Sequence, residues 1–429
     1  QPDSKNLIVN QGSDRAIINW SSFDILHGES TRFVQPNANS VALNRITNGN
    51  PTQILGTLSA NGKLVLVNPN GVFFGAGSKV DVAGLIASTA DISSKNFLAG
   101  TMKFDQAGKA DASIVNKGTI TAADGGLVAL VAPGVRNDGI IQANLGTVAL
   151  ASGSTATIDM YGDNLYSFAV GKTTSAARDE SGNKMDSAVE NNGTVSATGG
   201  KILLTANAAK DVVTNVVNNT GVLEASAARV VGGAVILDGG DSGNVRVAGT
   251  INVAGSKAGQ KGGNVTITGE TVKLAAATID ASGDAAGGKV LVGGDYQGGG
   301  TVAHAKSVDV DSASVINVSA TGNGDAGTAV IWSDDATSFA GTLLGTGGAL
   351  GGNGGQFEVS SMNTLDYSGL ANASAVAGKS GMLLLDPLNI NVGPVLAFAA
   401  QNALNLGTDV TIFTPVIGPQ AGNITVNSE

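Results

Sequence analysis

From about residue 113 onward the chain repeats two glycine-led stations, and no other feature limits its fold so strongly. One station is Gly-Thr-Ile or similar followed by small residues: Gly118-Thr119-Ile120-Thr121-Ala122, Gly139-Ile140-Ile141-Gln142-Ala143, Gly193-Thr194-Val195-Ser196-Ala197, Gly221-Val222-Leu223-Glu224-Ala225 and Gly249-Thr250-Ile251-Asn252-Val253. The other is a glycine followed by an alternating aliphatic strand, as at Gly126-Leu127-Val128-Ala129-Leu130, Gly146-Thr147-Val148-Ala149-Leu150, Gly200-Lys201-Ile202-Leu203-Leu204 and Gly263-Asn264-Val265-Thr266-Ile267. Gly126 to Gly146 and Gly243 to Gly263 are steps of 20 residues, and Gly263 to Gly288 is one of 25. A period of that size means a solenoid. A leucine-rich repeat would need Leu-x-x-Leu-x-Leu and a helix in every turn, and neither recurs. Strands bounded by Gly and Asn turns fit a parallel β-helix, whose coils stack at the inter-strand spacing of about 4.8 Å. Val, Ile and Leu then face inward, and Thr, Ser, Asn and Lys outward. Asn116, Asn137, Asn192 and Asn219 each stand one or two residues before a corner glycine, where stacked amides can form a ladder and glycine permits a left-handed backbone. The handedness of crossover connections favours a right-handed coil.

Composition supports this reading and closes off others. Glycine at 62 of 429 residues is about twice its usual share, and aromatic residues are only 4% against 42% hydrophobic residues overall. The core is therefore expected to be Val, Ile, Leu and Ala, in an interior where a ring rarely fits. A formal charge of −10 without any Lys/Arg cluster disfavours nucleic acid as a partner. No run of 18 apolar residues occurs, so no membrane-spanning helix is expected. The chain has no cysteine, which excludes a disulfide framework and suits a thread that crosses a membrane unfolded. It opens at Gln1-Pro2 in polar sequence, which is read as an already processed or trimmed N-terminus.

Ahead of the regular coils, Trp20, Phe23 and Phe33 gather in a region of short alternating segments, and a lid over the first coil is their expected role. Two insertions break the period. Met160 to Val189 holds Leu165-Tyr166-Ser167-Phe168-Ala169-Val170 and then a charged turn from Arg178 to Lys184, which reads as a hairpin laid on the side of the solenoid. The second, roughly 295–313, is polar, glycine-rich and carries His304. Pro394 to Leu406 is the one expected helix, with Gly407 as its stop. The end, Asn423 to Asn427, reads as the opening of another coil.

The stretch from Asn68 to Thr89 compresses a whole coil into 22 residues: a turn at Asn68-Pro69-Asn70-Gly71, then Val72-Phe73-Phe74, then Val80-Asp81-Val82 with Asp81 outward, then Leu85-Ile86-Ala87. It follows Ala42-Leu43-Asn44-Arg45-Ile46, Ile54-Leu55-Gly56-Thr57-Leu58, Ala60-Asn61-Gly62-Lys63 and Leu66-Val67. This succession resembles the secretion domain of the filamentous haemagglutinin-like exoproteins of bacterial two-partner secretion. Phrases at Ile331-Trp332-Ser333, Glu358-Val359-Ser360 and Leu384-Leu385-Asp386-Pro387 extend the resemblance over nearly the whole chain.

The resemblance implies an all-β, right-handed parallel β-helix with N-terminal cap strands and extra-helical hairpin insertions. Residues 1–230 would be the secretion domain with its cap, 231–393 continuing coils, and 394–429 a short helix and the start of a further repeat. It implies a secreted or cell-surface, adhesin-like protein whose partner is an outer-membrane transporter acting through its periplasmic domains, with host or matrix carbohydrate or a host-cell surface as a further partner. Asn44, Arg45, Asn68, Pro69, Asn70 and Gly71 carry over as the secretion motif, and a monomer is expected. At Gly71 a positive φ would make a β-branched substitute cost on the order of 1–2 kcal/mol. Asn68 and Asn70 are expected to matter more for export than for stability, since Pro69 and Gly71 alone make a turn.

Catalysis finds little support. His27 and His304 lie in no metal-ligand or triad spacing. Asp334-Asp335 and Asp238 with Asp241 are the best carboxylate pairs, but adjacent strand residues point to opposite faces and each sits beside glycine or serine. Gly322-Asn323-Gly324-Asp325 and Gly293-Gly294-Asp295 resemble fragments of a calcium-binding nonapeptide without its recurrence. No cofactor, no metal and no enzymatic activity are expected. The competing class is a carbohydrate-binding or carbohydrate-cleaving β-helix, which a groove of aromatics and carboxylates would favour.

Overall fold

The computed structural model describes residues 5–158, 168–171, 173, 175–207, 212–228, 230, 232–414 and 422–426. The chain divides into two compact units, 1–221 and 222–429. In each, β-strands stack in parallel on three faces.

In the first unit the three faces are visible within one coil. Val72–Phe74, Lys79–Val82 and Gly84–Ser88 belong one to each face. Each pairs in parallel register with the coil before it, Val72–Phe74 on Thr52–Ile54, Lys79–Val82 on Thr57–Ala60 and Gly84–Ser88 on Lys63–Val67. The expected turn-strand alternation from Asn68 to Thr89 is thus one coil, with Asp81 exposed between buried Val80 and Val82. Every strand N–H and C=O can find a partner in an adjacent coil, and like side chains stack on like: Leu85, Val128, Val148 and Ile202 form one inward lane, each at most 1% exposed. Burying one such aliphatic side chain contributes roughly 1.5–3 kcal/mol.

The corner glycines have a different reason from the one expected. Gly139, Gly193 and Gly221 keep ordinary negative or extended φ. A Cβ on each would meet the carbonyl oxygen of the glycine one coil earlier at 2.1–2.2 Å, so it is backbone stacking that demands glycine here.

An asparagine ladder runs beside these corners, one residue away from the expected set. Asn116 Nδ2 donates to Asn137 Oδ1, Asn137 Nδ2 to Asn191 Oδ1 and Asn191 Nδ2 to Asn219 Oδ1, each at 2.8 Å, with all four side chains buried. Asn191, not Asn192, is the member, because strand register aligns Asn137, Asn191 and Asn219. Asn192 is exposed and bonds the Asp138 carboxylate instead.

Rings enter the interior more freely than the composition suggested. Phe33 and Phe74 are buried in the first unit, and Phe339 and Phe357 in the second. Register places Phe339 on Tyr367, and the two rings stack at 5.6 Å and 7°. At the N-terminal end Trp20 meets Phe23 at 5.1 Å and Phe23 meets Phe33 at 6.3 Å, while Leu7 and Ile8 of the first strand stay exposed.

The insertions match expectation in part. Phe168–Val170 does pair antiparallel with Ala156–Ile158, but Leu165 to Ser167 lie outside the described residues. The charged turn forms, closed by an antiparallel bridge between Arg178 and Lys184. Residues 91–106 form an insertion that the periodicity did not reveal: Asp91–Ile92, the helix Ser94–Ala99 and Met102–Gln106, joined antiparallel to Ala156–Ile158. Ser93 caps this helix by accepting the Asn96 N–H, and Gly100 ends it at φ +83°. An outward lane in the same strands, Leu43, Val65 and Ile86, is as buried as the inward ones.

In the second unit the strand Ser307–Val310 belongs to the coils, paired with Thr271–Leu274 and Ala336–Phe339. The loop inserted there is therefore shorter than 295–313. The helix Pro394–Asn405 and its left-handed Gly407 match expectation. Asn389–Val392 and Asn423–Val426 pair in parallel.

The ladder makes a prediction. Asn137→Ala strips a buried donor from Asn191 and a buried acceptor from Asn116, and should cost about 1–3 kcal/mol in a urea melt. Asn192→Ala, on the neighbouring exposed residue, should stay within about 0.5 kcal/mol of the parent.

Candidate functional site

The six motif residues fall into two groups in the first unit. Asn68 to Gly71 form a hydrogen-bonded turn in which the Gly71 N–H donates to the Asn68 carbonyl at 3.0 Å. The order Asn-Pro-x-Gly suits such a turn: Pro69 presets φ, and the Asn68 side chain accepts the Asn70 N–H at 2.9 Å. Asn70 keeps a negative φ, and Gly71 alone takes a positive one, at +116°. A Cβ at Gly71 would also lie 2.7 Å from the Ser113 carbonyl oxygen, so strain and a clash coincide there.

The two asparagines do more than shape the turn. Asn68 Nδ2 donates to the Asn50 carbonyl at 2.9 Å and to Thr52 Oγ1 at 3.0 Å, and Asn70 Nδ2 donates to the Asn48 carbonyl at 2.9 Å. They tie the turn to the segment entering the strand Thr52–Ile54. Asn68 is 0% exposed. An aspartate there would lose both donors and bury a carboxylate, which revises the expectation that this position is nearly neutral for stability. Asn48, Asn50 and Thr52 are partners that sequence reasoning missed; Asn48-Gly49-Asn50-Pro51 carries only the signal of an ordinary turn.

Asn44 and Arg45 lie apart from the turn, on the strand Val41–Ile46. Asn44 is 0% exposed, accepts the Trp20 indole N–H at 2.9 Å and donates to the Ala42 carbonyl. Arg45 points the other way and fastens the 91–106 insertion. Its Nε donates to Asp91 Oδ1 at 2.8 Å, one terminal nitrogen reaches Ser94 Oγ at 3.1 Å, and the other donates to the Ile92 carbonyl. Arg15, one coil earlier, donates to the Phe97 carbonyl of the same insertion.

Beside the turn lies a cleft of about 390 Å³, lined by Asn70, Gly71, Phe73, Lys109, Arg178 and Glu180 among others. Its charged wall is internally matched: Arg136 pairs with Asp138, Asp179 and Glu180, and Lys117 with Glu180. Burial would raise the Asp179 pKa, but the N–H groups of Asn183 and Ser181, with Arg136, hold it below the usual carboxylate range. Elsewhere, Asp238 and Asp335 are occupied as hydrogen-bond acceptors, from Gly240 N–H and Asn363 respectively. Among the described residues no three His, Cys, Asp or Glu side chains stand close enough to hold a metal, and no helix is long and apolar enough to cross a membrane.

Comparison with known proteins places this geometry. The model of the TPS secretion domain, the domain of two-partner secretion, matches residues 1–253. A heme/hemopexin-binding protein of Haemophilus influenzae (strain Rd) is 40% identical over 162 residues, covering 36% of this chain and 18% of that protein. A second heme/hemopexin-binding protein of Haemophilus influenzae is 50% identical over 86 residues, 20% of this chain and 9% of its own length. The chain thus matches less than a fifth of the length of either relative. The crystal structure of the HMW1 secretion domain from Haemophilus influenzae superposes with a TM-score of 0.69 at 29% identity, covering 88% of this chain and 96% of that one. This chain belongs to the TPS secretion-domain family, the part of a two-partner exoprotein that directs its export through the outer membrane to the cell surface or beyond.

Proposed function

We propose that Asn44, Arg45, Asn68, Pro69, Asn70 and Gly71 are read by the periplasmic domains of the outer-membrane transporter while the chain is still extended, and that folding then withdraws them. The observation carrying this reading is that Asn44 and Asn68 are 0% exposed once the coils form, with their amides engaged internally. A partner cannot hydrogen-bond those groups in the folded domain. Extended segments around Asn44 to Thr89 suit strand addition to the transporter. Folding outside the membrane then removes the recognised form, which biases the thread outward.

The export-directing part in this proposal is residues 1–230, with 231–393 as continuing coils and 394–429 opening a further repeat. The complete protein is a monomeric, non-enzymatic, adhesin-like surface protein. Supporting this, the chain's relatives are binding proteins by name, and two of the four carboxylates considered for catalysis, Asp238 and Asp335, serve as hydrogen-bond acceptors. Its own surface ligand would come from the region beyond the secretion domain.

Two measurements test the proposal. Purified periplasmic domains of the transporter should bind the chain freshly diluted from urea, during its folding lag, and lose it as folding completes; binding that persists on the folded domain overturns the proposal. Second, Asp91→Ala and Arg45→Ala both remove the Arg45–Asp91 pair and should each cost about 1–3 kcal/mol. Only Arg45→Ala should reduce the amount of protein in the culture supernatant. Equal secretion of the two variants would make Arg45 a folding residue alone.

A further inference from the structure

In the second unit one outward lane of the β-helix is apolar where outward lanes are ordinarily polar. Strand register stacks Leu291, Val330, Glu358 and Leu384, and all four are at most 5% exposed. The loop 293–305 lies over Leu291, Val330 and Glu358. It leaves the strand Lys289–Val292, closes at its base through the Ala305 N–H on the Gly293 carbonyl at 2.7 Å, and lays Val302 against Leu291, Val330 and Trp332. Glycines at 293, 294 and 298 let its backbone approach Trp332: a Cβ on Gly294 or Gly298 would meet the indole at 2.8 or 2.5 Å.

Glu358 is the one acid in this lane. The loop fastens onto it: the Gln297 N–H donates to both carboxylate oxygens, at 2.9 and 3.1 Å, and Gln297 Nε2 reaches Asp386 Oδ2 at 3.3 Å. Gln297 adopts φ +50° to present that N–H. The charged groups facing Glu358 are carboxylates, Asp386 on the next strand and Asp295 on the loop, and the Ser360 hydroxyl is its remaining polar neighbour. Lys289 is committed to Asp295 at 2.9 Å. His304 meets the Trp332 ring at 4.3 Å and lies 3.4 Å from Asp334.

We propose that residues 293–305 are a pH-sensitive strap, shut over the lane while the Glu358 carboxyl is protonated and loosened when it ionises. An ionised Glu358 under the closed strap is out of water, between aliphatic neighbours and near other carboxylates; with the strap lifted it meets solvent. Burial, partly offset by the Gln297 N–H, pushes its pKa up to about 7, and Asp386 and Asp295 add to the rise. Burial raises Asp386 as well. The sign follows from the direction: a carboxyl whose pKa is higher closed than open binds more protons closed. Closure is therefore favoured most below the ordinary glutamate range and weakens as pH rises through about 7. Lifting the strap bares Leu291, Val330 and Trp332 as a contiguous apolar surface.

Amide hydrogen exchange of the 294–305 peptide, corrected for the intrinsic pH dependence of exchange, tests this. Between pH 5.5 and 8.5 its protection should fall by roughly tenfold or more, against an unchanged control peptide in the preceding coil. In Glu358→Gln, which keeps an acceptor for the Gln297 N–H without a charge, protection should be independent of pH. A flat profile in the parent overturns the proposal by itself, whether or not the variant folds. So does the same fall in Glu358→Gln, and a fall that survives there but vanishes in Asp386→Asn moves the sensor to Asp386.

Discussion

In-register parallel stacking is the constraint on which everything else in this protein depends. Each coil can satisfy the backbone of the next, so each position inherits the environment of the position one coil earlier. That is why Leu85, Val128, Val148 and Ile202 share a lane, and why Gly139, Gly193 and Gly221 admit no Cβ. It also makes a buried polar residue tolerable. Asn116 is satisfied because Asn137 lies directly beyond it, and so on through Asn191 to Asn219.

The same constraint sets what Asn68, Asn70 and Arg45 do in the folded domain. Asn68 and Asn70 close the turn that starts a coil, and Arg45 clasps the insertion over the outside of that coil. Groups spent in this way are no longer offered to a partner.

Each unit carries a buried outward apolar lane and, beside it, inserted chain fastened to the coils. In the first unit the lane is Leu43, Val65 and Ile86, and Arg45 and Arg15 fasten residues 91–106. In the second, Leu291 and Val330 lie under 293–305, fastened through Gln297 on Glu358. The difference is electrostatic. The first insertion is held by guanidinium groups on the coils, whose charge persists at any physiological pH, and the second by a buried carboxyl, whose charge does not.

The amino-acid sequence by itself determined the architecture and the family. Glycine-led stations at 20–25 residues admit little but a stacked β-structure, and the order of elements from Ala42 to Thr89 led to the secretion domain. The coil at 68–89, the helix at 394 and the positive φ of Gly71 were all legible, because each follows from local periodicity or turn chemistry. Tertiary structure decided which asparagine joins the ladder, since Asn191 and Asn192 differ only in strand register. It decided that rings enter the core, since Phe339 fits only because Tyr367 stacks above it. It decided too that Asn44 and Asn68 are buried. The runs 64–67 and 85–87 are buried on both faces of their strands, but nothing local to them says that Arg45 fastens residues 91–106 alongside. Periodicity reports which way a side chain points; what it meets there is set by segments distant in sequence.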